Sequence, residues 1–171
     1  MNKKLKEKLT YIKEFPVSEG STEQTSIDEL DTEILRVLLA DCRLSYRQIA
    51  GRVNASVATV IARIKRMEEL GIIKNYTAML DHEKLGFELC AAIEVTVSKG
   101  KLMEVEREIA KHKNVCAVYD ITGLTDALII VKFKSRKELN DFVKSLLSMP
   151  YVERTNTHLV LNTVKEDFRI L

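Results

Sequence analysis

Residues 45–70 read SYRQIAGRVNASVATVIARIKRMEEL: two short helical patterns separated by a tight turn, with cations throughout and no acid before Glu68. The first pattern opens at Ser45, whose hydroxyl is placed to accept from the Gln48 amide while the Gln48 side chain reaches back, a capping box. Tyr46, Ile49, Ala50 and Val53 then share one apolar face. Asn54 tolerates the left-handed backbone that a turn demands, and Ser56 is a suitable cap for the next helix. In that helix Val60, Ile64 and Met67 make the inner stripe, which predicts an outward surface of Ala58, Thr59, Ala62, Arg63 and Arg66. Small residues let a backbone sit deep in a major groove; a guanidinium bonds two acceptors on a guanine edge or grips phosphate; a threonine or alanine methyl touches thymine. Arg43, Arg47, Arg52 and Lys65 flank this surface and suit phosphates, which position a protein without reading sequence. With Ser45, Tyr46 and Ser56 at the helix starts, these residues are the candidate DNA-contacting set. The competing reading is a solvated face on an ordinary helical hairpin. Cap, turn, inner stripe and acid-free outer face together favour a helix-turn-helix DNA reader.

The chain has 171 residues, enough for one domain or two small ones, each able to bury a core. Its formal net charge is only +2, so the positive charge that matters is the local patch between Arg43 and Arg66. Cys42, Cys90 and Cys116 are odd in number and form no CxxC pair, which argues against a disulfide framework and a zinc finger and fits a reducing compartment. Cys90 and Cys116 are expected to be small core residues of strands, and His82, His112 and His158 surface groups. Without an HExxH or paired-carboxylate pattern, no metal site, cofactor or catalytic residue is predicted, and no enzyme. No apolar run approaches signal-peptide length at the start or the ~20 residues of a membrane helix elsewhere. The expected location is the cytoplasm, with no membrane partner.

Residues 1–25 read as an extension: Leu5, Leu9 and Ile12 could make one helical stripe, followed by a linker-like stretch, and disorder is expected. Ser26-Ile27-Asp28-Glu29 suggests a second capping box, opening a supporting helix to about Asp41 with Leu30, Ile34, Val37 and Leu38 inward. Gly71 suits a left-handed cap after the recognition helix. These features bound a helix-turn-helix domain at 26–71. Residues 72–80 alternate as an extended strand and 81–87 read as a turn, so 72–88 is the expected connector and hinge. Further on, strands at 89–97, 115–122, 127–133 and 152–164 alternate with helices at 101–112 and 135–148, the latter opened by a third box at Ser135. Two βαβ units joined by a hairpin at Gly123 to Asp126 are the split βαβ arrangement of a ferredoxin-like sandwich, spanning 89–171. The fold class is α+β.

With both helices on one side of that sheet, the far side is predicted to show Val118, Leu128, Ile130 and Val160 among Glu94, Thr96, Lys132, Asn156 and His158. A half-apolar face needs a cover, and the simplest is a second copy of the sheet in a homodimer. The alternative cover is 72–80 or the C-terminal tail. A dimer also suits two readers on half-sites about one helical turn apart.

The order of elements and many residues resemble the leucine-responsive and asparagine-responsive (Lrp/AsnC) transcription regulators of bacteria and archaea, over Ser26 to about Asp167. The matching residues are Leu30-Asp31-Thr32-Glu33-Ile34-Leu35, Leu44-Ser45-Tyr46-Arg47-Gln48-Ile49-Ala50, Ser56, Val60, Arg63, Ile64 and Leu70-Gly71-Ile72-Ile73. Tyr76-Thr77-Ala78, Gly123, Asp126, Thr155 and Thr157 continue the match. The resemblance implies a winged-helix-like domain on promoter DNA, a ferredoxin-like domain that dimerises through its sheet, often tetramers of dimers (a homo-octamer), and a free amino acid held between subunits. Two departures stand out: the extension before Ser26, and a hairpin, Gly123-Leu124-Thr125-Asp126, without the acidic and aromatic residues common there. In such a site Asp126 could take an ammonium and the Gly123 turn could aim amides at a carboxylate, with Thr122, Thr155, Asn156 and Thr157 completing the effector set. The plainer alternative is that Gly123 and Asp126 merely close the hairpin. A different class of function, an amino-acid-sensing oligomer acting through protein contacts, is separated from DNA binding by salt dependence.

Overall fold

The computed structural model describes residues 26–171; the extension expected at 1–25 lies outside the described residues. The chain divides into two compact units, one ending at Tyr76 and the other running Thr77–Ile170. Each has a separate apolar core.

In the first unit, α1 (Glu29–Ala40), α2 (Tyr46–Arg52) and α3 (Val57–Glu69) bury Ile34, Leu35, Ile49, Ala50, Val53, Val60, Ile64 and Met67. Each large aliphatic among them is worth roughly 1.5–3 kcal/mol of transfer out of water. The cap of α1 is Asp28, not Ser26: its carboxylate accepts from the Asp31 amide at 2.9 Å, and Asp31 accepts from the Asp28 amide. Aspartate caps as well as serine, and starting at Glu29 turns Asp31 inward. The box at Ser45 forms as its sequence suggests, with Ser45 N–H donating to Gln48 Oε1 at 2.9 Å. Tyr46 departs from the expected apolar face and is exposed. Asn54 takes φ +50° in the turn, and Ser56 accepts from the Thr59 amide at 3.0 Å.

The end of α3 is a Schellman motif. Gly71, at φ +69°, donates to the Glu68 carbonyl at 3.0 Å and Ile72 to that of Met67 at 2.9 Å. Ile72 and Ile73 pack on the core, but the strand expected at 72–80 is absent: 74–80 are exposed and without a ladder. Alternation marks two faces, and only a neighbouring strand makes the segment a strand.

The second unit contains β1 (Leu89–Val97), α4 (Leu102–Ala110), β2 (Val115–Asp120), β3 (Ala127–Phe133), α5 (Arg136–Ser148) and β4 (Val152–Leu159). Its sheet order is β2-β3-β1-β4, antiparallel throughout, which is the ferredoxin-like arrangement. Ala91, Ile93, Val95 and Val97 of β1 join Ala127, Ile129, Val131 and Phe133 of β3 beneath Val105 and Ile109 of α4 and Leu139, Phe142 and Leu146 of α5. The Ser135 box is skewed by one residue: Ser135 accepts from the Glu138 amide, but Glu138 accepts from Lys134 N–H at 3.1 Å. The final strand stops at Leu159 rather than 164. Its last bond runs from Val160 N–H to the Cys90 carbonyl, and there β1 runs out.

The open face differs from expectation at β2. A bulge between Val115 and Ala117 sets Val118 opposite Ile129 and Tyr119 opposite Leu128. Val118 therefore packs toward the core and Tyr119 replaces it on the open face, beside half-buried Leu128 and Ile130. The same bulge exposes Cys116, and Cys90 is half-buried opposite Lys132, so neither is a core residue. His112 is not a surface group either. It lies 4.7 Å, ring centre to ring centre, from Phe142, and burial lowers its imidazole pKa. Of the tail, Glu166 pairs with Lys132, while Leu161, Val164, Phe168 and Ile170 stay exposed. Among the described residues no helix is long and apolar enough to cross a membrane.

Candidate nucleic-acid interface and effector site

The turn at Asn54 and the two serine caps set α2 and α3 as a helix-turn-helix pair. Arg47 and Arg52 are exposed and form no ion pair among the described residues. Arg43 is also exposed but forks onto Asp41, with contacts of 2.9 and 3.2 Å, and holds that carboxyl below the usual range. Ala58 and Ala62 face solvent on α3, as does Lys65, 3.7 Å from Glu69. Thr59 is half-buried, its hydroxyl 2.8 Å from that of Ser56.

The expected outward placement of Arg63 and Arg66 is corrected. Arg63 Nη1 donates to Asp28 and, at 3.2 Å, to Asp31; Arg66 Nη1 donates to Asp31 at 3.0 Å and Nη2 to the Ser26 carbonyl at 2.8 Å. Asp31 is wholly buried. The cause is the charged start of α1: Arg63 and Arg66 stand on the flank of α3 beside Val60 and Met67, within reach of two carboxylates. The amide of Asp31 and the Arg63 guanidinium lower the Asp28 pKa, and Asp28 in turn raises that of Arg63. Both arginines clamp α3 to α1. The sequence reading also passed over Val57 and Ile61, which are 38% and 42% exposed on α3.

Of the nominated effector residues, Thr122, Gly123 and Asp126 lie in or beside the hairpin at one end of the sheet, whereas Asn156 and Thr157 pair with Glu94 and Ile93 at the middle of β1. Thr122 and Gly123 are exposed in the hairpin, Gly123 at φ +135°. Asp126 N–H donates to the Val95 carbonyl at 3.0 Å, and its Oδ2 accepts from Val97 N–H at 2.8 Å, bracing β1 where its register with β4 shifts. Thr155, Val95 and Ala127 lie in one cross-strand row, so Thr155 is about two strand spacings, ~10 Å, from the base of the hairpin. Thr155 and Thr157 pair with core-facing Val95 and Ile93. Asn156 lies on the opposite face, donating to Glu94 at 3.0 Å, and with His158 lowers the Glu94 pKa. A single chain therefore does not gather all six into one pocket. A cleft of about 630 Å³ lined by Phe87, His112, Phe133, Lys134, Glu138 and Phe142 opens at the other end of β3 and contains none of them.

The profile of the Lrp/AsnC ligand binding domain matches residues 90–170, and that of a winged helix-turn-helix DNA-binding domain matches 27–74. An HTH-type transcriptional regulator of Pyrococcus furiosus is 51% identical over 144 residues, covering 84% of this chain and 97% of that protein. Among solved structures, a transcriptional regulator of Neisseria meningitidis complexed with L-Met is similar with a TM-score of 0.77 and 29% identity, over 85% of this chain and 97% of that one. A feast or famine regulatory protein from M. tuberculosis, complexed with L-methionine, gives 0.74 and 26%, over 84% and 97%.

Proposed function

The chain belongs to the Lrp/AsnC family of transcription regulators, and from that premise we propose that it binds operator DNA as a homodimer or tetramer of dimers, tuned by a free amino acid held between subunits. The observation that carries the DNA contact is the α2–turn–α3 pair, whose α3 N-terminal turns carry no acid and are flanked by exposed Arg47 and Arg52. Arg52→Ala is expected to weaken specific and random duplexes alike and to lower the slope of log affinity against log salt by about 1, read by fluorescence anisotropy over a salt series. A chain that fails to bind any duplex at any salt would favour the protein-contact alternative. The same reading sets its place of work in the cytoplasm.

A second copy on the open sheet face suits exposed Tyr119 and half-buried Leu128 and Ile130, and sets two readers about one axis. A free amino acid is supported by the L-methionine bound to the Neisseria and M. tuberculosis relatives. The second carboxylate oxygen of Asp126 has no partner among the described residues and suits an ammonium, while the Gly123 turn offers amides. Asp126→Asn keeps an acceptor for Val97 N–H, while it removes the charge and turns the second oxygen into an NH2 donor. It is expected to abolish the calorimetric heat of amino-acid binding while leaving dimer mass unchanged; retained heat would remove Asp126 from the site.

A further inference from the structure

We propose that Val57 and Ile61 read the 5-methyl groups of operator thymines, so that direct readout rests on methyl contacts and not on guanidinium–guanine pairs. This rests on α3 being the recognition helix. The N-terminal part of such a helix meets the base edges, and here it presents Val57 and Ile61, one turn apart, at 38% and 42% exposure, beside exposed Ala58 and Ala62. These four make a continuous apolar strip on a helix whose inner stripe, Val60, Ile64 and Met67, is already fully used.

The polar alternatives on α3 are committed elsewhere. Guanine is read best by a two-pronged arginine on O6 and N7, but both α3 arginines are bonded to Asp28, Asp31 and the Ser26 carbonyl. The Ser56 and Thr59 hydroxyls bond each other, and Ser56 also caps the helix. Lys65 stands a turn further on and beside Glu69. What remains over the bases is hydrocarbon, and the only hydrocarbon that a base edge offers in the major groove is the thymine methyl. Burying one methyl is worth about a fourfold change in affinity, and a symmetric dimer touching the same thymine in both half-sites doubles that in the logarithm, to about fifteenfold.

The test uses full-length protein and an operator selected from a random duplex pool. Each thymine is replaced in turn, in both half-sites, by deoxyuridine, which keeps every hydrogen-bonding group and lacks only the methyl. Wild type is expected to lose about fifteenfold at one or two thymines per half-site. Ile61→Ala, at an exposed site where alanine favours helix, is expected to bind thymine and uracil forms equally at one of those positions, and Val57→Ala at another. Any change of duplex shape caused by uracil would act on wild type and variant alike, so the difference between them isolates the contact. Specific binding without any uracil-sensitive position, or the wild-type thymine-to-uracil ratio persisting in both variants, overturns the methyl readout while leaving the DNA-binding reading intact. Failure to bind any duplex overturns both.

Discussion

Asp31→Ala is expected to cost the first unit about 2–3 kcal/mol, less than the roughly 3–5 kcal/mol of breaking a fully buried ion pair, because the stranded guanidiniums can partly rehydrate. Asp31 has no exposed surface and accepts from both Arg63 and Arg66, whose side chains are 31% and 42% exposed. Its loss also removes half of the α1 capping box. A helical unit of this size has little stability to spare, so the melting curve should split, with the helix-turn-helix unfolding first. Asp31→Asn, which keeps one acceptor, should cost about half as much. Urea titration followed by helical circular dichroism measures both. A loss below about 1 kcal/mol for the alanine variant would mean that Asp28 and the Ser26 carbonyl hold the arginines without Asp31.

Ile130→Glu is expected to convert the proposed dimer to monomer and to lower operator affinity by more than about 100-fold, although the substitution lies in the other unit. Ile130 sits at the middle of the open face, opposite Ala92 and Ala117; a carboxylate there must be buried unpaired in any face-to-face dimer. DNA affinity follows because tying two half-site contacts together raises the local concentration of the second into the millimolar range, an advantage that a monomer forfeits. Light scattering and anisotropy read the two effects. An unchanged dimer mass would place the interface elsewhere.

The helix caps and strand alternation were legible because their causes are local. Ser45, Ser56, Asn54 and Gly71 act within three or four residues, and β1 and β3 carry their buried faces as a simple two-residue period. What the sequence hid depends on partners distant along the chain. The wheel of α3 placed Arg63 and Arg66 off the inner stripe, but only folding sets Asp28 and Asp31 within reach, 32 to 35 residues away in sequence. Likewise Val118 changes face because the ladder slips by one residue at Cys116, and a slip of one inverts every side chain beyond it. The 72–80 segment, IIKNYTAML, finds no neighbouring strand among the described residues. The effector residues of β4 straddle both faces of the sheet, and the two-residue period could have shown that Asn156 and Thr155 lie on opposite sides.

The sheet's borders bear on how such an assembly stops growing. An open border is a template: any extended chain can add to it, and a stack of copies doing so becomes a fibre. Here one border, β2, has six residues and is kinked by its bulge. The other, β4, reads VERTNTHL, with charged or polar side chains at six of its eight positions. Both borders are poor templates, while the broad face between them is half apolar. In the proposed dimer copies of this chain meet face on face, a contact that uses itself up when two meet, and not by the edge-to-edge addition that would continue without limit.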